Sequence, residues 1–186
     1  MRKLTVFNNV TLDGYFTSTE GDMSWAHRRD PEFNAFVQDN AKGGGVLVFG
    51  RVTYQMMAGY WPTQLAREQN PVVAERINAQ QKVVFSRTLS QVSWQNTALL
   101  KGDLATEIST LKRQAGPDLV VLGSGRLVAQ LAAARLVDEY QLVMVPVVLG
   151  AGRTLFEGLP ERLGLQLLSS RTFGNGNVFL RYAPAG

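Results

Sequence analysis

Apolar and polar positions alternate along this chain with two periods, and the switches between them outline its elements. A period of two marks a first strand over Lys3–Asn9, with Leu4, Val6 and Asn8 on one face. Short, mostly apolar runs at Val46–Phe49, Lys82–Phe85 and Leu119–Leu122 read as strands. A shorter strand is predicted within Ala98–Lys101, and a long β-branched one over Glu139–Leu149, interrupted by Pro146. Helical spacing appears between them. Pro31 starts a helix to Ala41 with Phe33, Phe36 and Val37 on its apolar face, and Gly43-Gly44-Gly45 ends it. A second helix follows Gly50, carries Val52, Tyr54, Met56 and Met57, and stops near Gly59. Others are predicted over Pro71–Ala79, after a capping Asp103 with Leu104, Ile108, Leu111 and Ala115 in one stripe, and over Arg126–Arg135. Thr17–Met23 reads as a loop, and Tyr60-Trp61-Pro62 begins a long connection. At the end, Leu165–Phe173 and Val178–Tyr182 flank Gly174-Asn175-Gly176-Asn177, a hairpin signal. The expectation is one α/β domain spanning residues 1–186. It has a mostly parallel central sheet flanked by helices and a C-terminal antiparallel β-hairpin.

Composition narrows the chemistry. With 45% hydrophobic and 18% charged residues, the chain is ordinary for a folded domain and long enough for one full core. It has no cysteine, which excludes disulfides and a thiolate nucleophile. His27 is the single histidine, so a His-rich metal site cannot be built, and within Trp25-Ala26-His27-Arg28-Arg29 it reads as a solvated residue near a helix start. The amino terminus runs straight into a strand with no signal-peptide pattern, and no apolar stretch reaches the ~18 residues of a membrane span. A soluble, cytoplasmic protein is expected. The net charge of +4 comes from scattered arginines rather than a basic run interleaved with aromatics. That favours a small anionic ligand over nucleic acid or a membrane.

Two Gly-Arg turns show where such a ligand would bind. Val46-Leu47-Val48-Phe49-Gly50-Arg51-Val52-Thr53-Tyr54 and Leu119-Val120-Val121-Leu122-Gly123-Ser124-Gly125-Arg126-Leu127-Val128 each lead a strand through glycine into a helix. Such a junction presents backbone N–H groups and the positive end of a helix dipole to phosphate. The dinucleotide fingerprint GxGxxG fails, because its third glycine position is Val128. Two phosphate turns with an arginine each suggest a ligand with several phosphates, such as a dinucleotide with a 2′-phosphate. Two carboxylates stand near. Asp13, after strand 1, reads equally as substrate-facing or as a turn aspartate bonding its own backbone. Asp30, just before Pro31, reads as a helix cap or a substrate contact.

Taken together, these segments resemble the dihydrofolate reductase superfamily. Gly50-Arg51-Val52-Thr53-Tyr54 resembles its phosphate-binding turn, and Lys82-Val83-Val84-Phe85-Ser86-Arg87 its strand that ends at the adenosine 2′-phosphate. Val121-Leu122-Gly123-Ser124-Gly125-Arg126-Leu127 resembles its pyrophosphate turn. Most specific are Asp138-Glu139-Tyr140 and Pro146-Val147-Val148-Leu149-Gly150-Ala151-Gly152-Arg153-Thr154-Leu155-Phe156. With Thr11-Leu12-Asp13-Gly14-Tyr15, these resemble the reductase domain of riboflavin biosynthesis, the RibD C-terminal domain, and its stand-alone bacterial relatives. The resemblance implies an NADPH-dependent reductase of a pyrimidine or pterin-like heterocycle. Its first-guess substrate is 5-amino-6-(5-phosphoribosylamino)uracil. Dihydrofolate reductase proper, or a non-catalytic NADPH-binding protein, is the alternative. It further implies cofactor contacts from Gly50, Arg51, Thr53, Ser86, Arg87, Gly123, Ser124, Gly125, Arg126 and Leu127. Substrate contacts would come from Trp25, Gly152 and Arg153, and catalysis from Asp13 or Asp30. A homodimer is implied as well.

Overall fold

The computed structural model describes residues 1–26 and 30–185, so His27 lies outside the described residues. Within it, β1 (Leu4–Thr11) is followed by a short β2 (Tyr15–Thr17), α1 (Pro31–Lys42), β3 (Val46–Gly50), α2 (Arg51–Tyr60), α3 (Gln64–Gln69), α4 (Pro71–Ala79), β4 (Lys82–Phe85) and β5 (Thr97–Leu100). Then come α5 (Leu104–Arg113), β6 (Leu119–Leu122), α6 (Gly125–Ala133), β7 (Glu139–Val145), a two-residue β8 (Arg153–Thr154), β9 (Leu165–Thr172) and β10 (Val178–Pro184). The main sheet has the order β5-β4-β3-β6-β1-β7-β10-β9. Strands β5 to β7 in that order pair in parallel, and β10 and β9 add an antiparallel edge. No helix among the described residues is long and apolar enough to cross a membrane.

Side-chain parity explains why both faces are covered. Val46 and Val48 join Leu4, Val6, Val121 and the apolar sides of α5 and α6, through Ile108, Leu127, Val128 and Leu131. Leu47, Phe49 and Val84 point the other way, onto Tyr54 of α2, Val73 and Ile77 of α4, and Trp94. Phe33 of α1 closes the same side further along, against Val143, Val145, Phe173 and Phe179. A strand with apolar residues at consecutive positions is stable only between two layers, and here it has them.

Some elements differ from expectation. β7 ends at Val145, because Pro146 has no N–H to continue the ladder. Helix α5 stops at Arg113, so Ala115 lies beyond the predicted stripe. The connection after Trp61 contains α3, whose cap is the Thr63 hydroxyl accepting from the Ala66 N–H at 3.2 Å. β2 lies between the Asp13-Gly14 turn and the predicted Thr17–Met23 loop and overlaps that loop only at Thr17; it pairs with β8 to make a two-stranded ribbon.

That ribbon is clasped at its base by Asp13. Its carboxylate accepts from the N–H groups of Leu149 at 3.1 Å and Gly150 at 2.8 Å, and from the Thr11 hydroxyl at 2.6 Å. These donors hold the carboxyl below its usual range, the Thr11 hydroxyl most of all. A second polar knot lies under β4. Lys82 is 1% exposed, and its ammonium donates to the carbonyls of Asn78 at 3.1 Å, Gln80 at 2.7 Å and Gln95 at 3.3 Å. The same ammonium lies 4.5 Å from the centre of the Trp94 ring. Burial lowers its pKa to about 8.

Folding lowers the Lys82 pKa, so the unfolded chain binds that proton more tightly. Its contribution to stability therefore grows as pH rises from about 8 towards the free-lysine value. Lys82→Met should cost roughly 2 kcal/mol in urea unfolding, chiefly because the Gln80 carbonyl loses its donor, whereas the Asn78 and Gln95 carbonyls keep donors from Gln95, Asn96 and Thr97. It should also remove this alkaline rise, and a variant that keeps the rise would show that another group produces it. The Asp13 contribution has the opposite sense, being present above the free-carboxylate pKa and lost as pH falls through the lowered folded value. Asp13→Asn should leave the sheet intact but speed hydrogen exchange of the Leu149 and Gly150 amides at neutral pH. Unchanged protection of both amides would mean that the clasp does not hold the ribbon down.

Candidate functional site

In a parallel sheet every βα turn leaves from the same end, so the carboxyl ends of β3, β4, β5 and β6 open onto one edge. There they form a cleft of about 800 Å³, and the β2–β8 ribbon contributes Phe16, Thr17, Arg153 and Thr154 to its wall. Its size suits a small organic ligand. Arg51, Arg87, Lys101, Arg126 and Arg153 line it against two carboxylates, Asp103 and Glu157. The field inside therefore favours an anion.

Arg51 is the first residue of α2, and its guanidinium donates to Gln55 Oε1 at 3.0 Å. The first-turn amides of α2 have no intrahelical acceptor and face the same edge. Across the cleft, Gly123 and Ser124 both take the left-handed conformation, with φ of 61° each, before α6 begins. A Cβ at Gly123 would lie 2.9 Å from the Thr53 side chain, so glycine is required twice over.

The two turns are tied together by side chains. The Gly50 N–H donates to Ser124 Oγ at 2.9 Å, and that hydroxyl donates to Thr53 Oγ1 at 2.8 Å. The Gly123 N–H donates to Oδ1 of Asn8, a 3% exposed residue of β1, at 3.0 Å. Two of the amides a phosphate could have taken are therefore already engaged. Those left belong to the first turns of α2 and α6.

At the other end of the cleft, Phe85 of β4 lies opposite Leu100 of β5. The next residues along each strand bring Arg87 and Lys101 to one corner. Arg87 is close enough to Asp103 to help lower its carboxyl pKa, behind the larger effect of the Thr106 N–H and hydroxyl. Ser86 Oγ accepts from the N–H groups of Thr88 at 3.2 Å and Leu89 at 3.0 Å, which fixes the turn that presents Arg87.

The cleft gathers Gly50, Arg51, Thr53, Ser86, Arg87, Gly123, Ser124, Gly125, Arg126, Leu127 and Arg153. Asp13, Trp25, Asp30 and Gly152 lie off its lining. Asp30 caps α1, with Oδ1 accepting from the Phe33 N–H at 2.7 Å, and Asp13 forms the ribbon clasp. Trp25 packs against the phenylalanine cluster and donates from Nε1 to the Asp22 carbonyl at 3.3 Å. Gly152 is the close-approach point of the ribbon, since a Cβ there would overlap the Thr17 carbonyl and lie 2.9 Å from the Tyr15 ring. Sequence reasoning missed Lys101, Asn8, Phe16, Thr17, Thr154 and Glu157. Lys101 alone had a signal, being the cation that ends a parallel strand next to the one ending in Arg87.

The chain matches known proteins over nearly its whole length. YyaP of Bacillus subtilis (strain 168), an uncharacterized protein, is 29% identical over 182 residues, which are 97% of this chain and 94% of YyaP. Among solved structures, a pyrimidine reductase-like protein from Corynebacterium diphtheriae superposes with a TM-score of 0.70 at 13% identity, covering 100% of this chain and 92% of that one. A Thermotoga maritima protein has the same TM-score of 0.70 at 14% identity. It is a diaminohydroxyphosphoribosylaminopyrimidine deaminase/5-amino-6-(5-phosphoribosylamino)uracil reductase, and the match covers 99% of this chain and 57% of that one. At these identities the structures establish the fold, of the dihydrofolate-reductase-like kind. The sequence model of the RibD C-terminal domain matches residues 2–179, and with that match the chain belongs to the RibD C-terminal domain family, the reductases of the riboflavin pathway type.

Proposed function

We propose that this protein is an NADPH-dependent reductase of a pyrimidine or pterin-like heterocycle, with 5-amino-6-(5-phosphoribosylamino)uracil as the first substrate to try. The observation that carries the reading is the division of the cleft into two anion-binding ends. At one end lie the first turns of α2 and α6 with Arg51 and Arg126, which suit a pyrophosphate. At the other lie Arg87 and Lys101, which suit the 2′-phosphate that separates NADPH from NADH. The donor set therefore fits the cofactor. When bound, the nicotinamide supplies the hydride chemistry, and the protein's part is to hold and orient. Phe16 and Met23 give the wall an apolar stretch against which a planar ring can stack. Arg153 brings a cation from the ribbon for the substrate's phosphate. A homodimer belongs to the same reading, and sedimentation velocity should give a mass near twice that of one chain.

One observation favours a second reading, a nucleotide-binding protein without turnover. Asp13 and Asp30 both spend their carboxylates on backbone N–H groups away from the cleft lining. In the reductase reading the proton then comes from solvent admitted to the cleft. Substrate-dependent oxidation of NADPH separates the two.

Side-by-side titrations should show NADPH bound at least about tenfold more tightly than NADH. Arg87→Ala should weaken NADPH by about tenfold or more while leaving NADH nearly untouched, because only one ligand carries the phosphate that Arg87 would meet. Equal losses for both nucleotides would remove the 2′-phosphate assignment. Failure of the wild-type chain to bind either nucleotide at submillimolar concentration would remove the reading itself.

A further inference from the structure

Ser124 occupies a position where its backbone is unfavourable and its side chain is fully used. Its φ of 61° and ψ of 63° lie in the left-handed region that L side chains other than Asn and Asp avoid. Glycine would relieve that strain, as it does next door at Gly123. What serine adds is a hydroxyl that bridges two turns far apart in sequence. It accepts the Gly50 N–H at 2.9 Å and gives its single hydrogen to Thr53 Oγ1 at 2.8 Å.

The consequence falls on Thr53. A hydroxyl has one hydrogen to donate, and the oxygen of Thr53 is already accepting from Ser124. Among the described residues, none takes the Thr53 hydrogen. Thr53 lines the cleft on the third residue of α2, beside the first-turn amides. Each bond in such a chain polarises the next, so the terminal hydroxyl becomes a stronger donor. The turn behind it cannot drift, because the Gly123 N–H is held by buried Asn8.

We infer that Ser124 is a positioning residue for anion recognition: through the relay Gly50 N–H to Ser124 Oγ to Thr53 Oγ1, it leaves the Thr53 hydrogen free to donate to a diphosphate oxygen. The inference rests on the nucleotide reading of the cleft and goes beyond it by assigning the direction of a hydrogen bond. It also biases the site towards acceptor groups, since Ser124 already takes one of the two acceptor positions of Thr53.

The test is a double-mutant cycle of Ser124→Gly and Thr53→Val, with inorganic pyrophosphate and NADPH titrated separately and thermal melts run on every variant. Ser124→Gly removes the hydroxyl and relieves the backbone strain together, so its fold should survive. Each single variant should bind pyrophosphate about tenfold more weakly than the wild type. The double variant should bind no more weakly than Thr53→Val alone, because both changes remove one and the same donor. Additive losses, or a Ser124→Gly variant that binds pyrophosphate as the wild type does, would overturn the relay. Wild-type binding of pyrophosphate without NADPH would keep the relay and remove the dinucleotide reading. A wild-type chain that binds neither ligand would overturn both.

Discussion

Everything functional in this molecule depends on parallel pairing between β3 and β6. The two strands lie side by side, with Val46 opposite Leu119 and Val48 opposite Val121, although four helices and two strands separate them in sequence. Because they run in the same direction, their following turns emerge together, and each turn starts a helix pointing away from the same edge. One parallel register thus sets two helix N-termini side by side. Had either strand been reversed, one turn would sit at the opposite end of the sheet. No side-chain bond could then link Gly50, Thr53 and Ser124.

Around this edge the protein divides its polar groups by task. Polar groups at the cleft work in chains and leave donors facing outward. Two polar groups away from the cleft are closed on protein partners. Lys82 ends on three carbonyls, and Glu139 pairs with Arg181 at 2.7 Å on the far side of the sheet. The difference is what an anion needs, namely unsatisfied donors in a place that water or ligand can reach. It also explains why the ribbon is held by Asp13 rather than by a core of its own, since three-residue and two-residue strands bury too little to stand alone.

Much of this was legible in the residues. The runs at Val46–Phe49 and Leu119–Leu122 announced strands, and Pro31, Pro71 and Asp103 sat where helices begin. Gly174 to Asn177 marked the turn of the final hairpin, which the structure has. The Gly-Arg turns pointed to the cleft because strand-to-helix junctions are local features. What stayed hidden was non-local or too short to show a period. Gln64-Leu65-Ala66-Arg67-Glu68-Gln69 offers little apolar stripe, and β8 is two residues long. The Asp30 cap was legible because it is local, three residues from its partner, but that Asp13 bonds the Leu149 and Gly150 amides and that Ser124 captures the Gly50 amide depends on where distant segments meet.

The place of β1 carries a consequence for synthesis. It is an interior strand whose two neighbours, β6 and β7, begin at Leu119 and Glu139. During translation its apolar face, with Leu4, Val6 and Val10, leaves the ribosome well before β6 and β7 and waits until those partners have been made. Long-range parallel pairing of this kind is slow, and the exposed strand is prone to association while it waits. The nascent chain therefore passes through a long interval in which its future centre is its stickiest surface, so chaperone occupancy on ribosomes that have not yet made β6 and β7 would concentrate at β1.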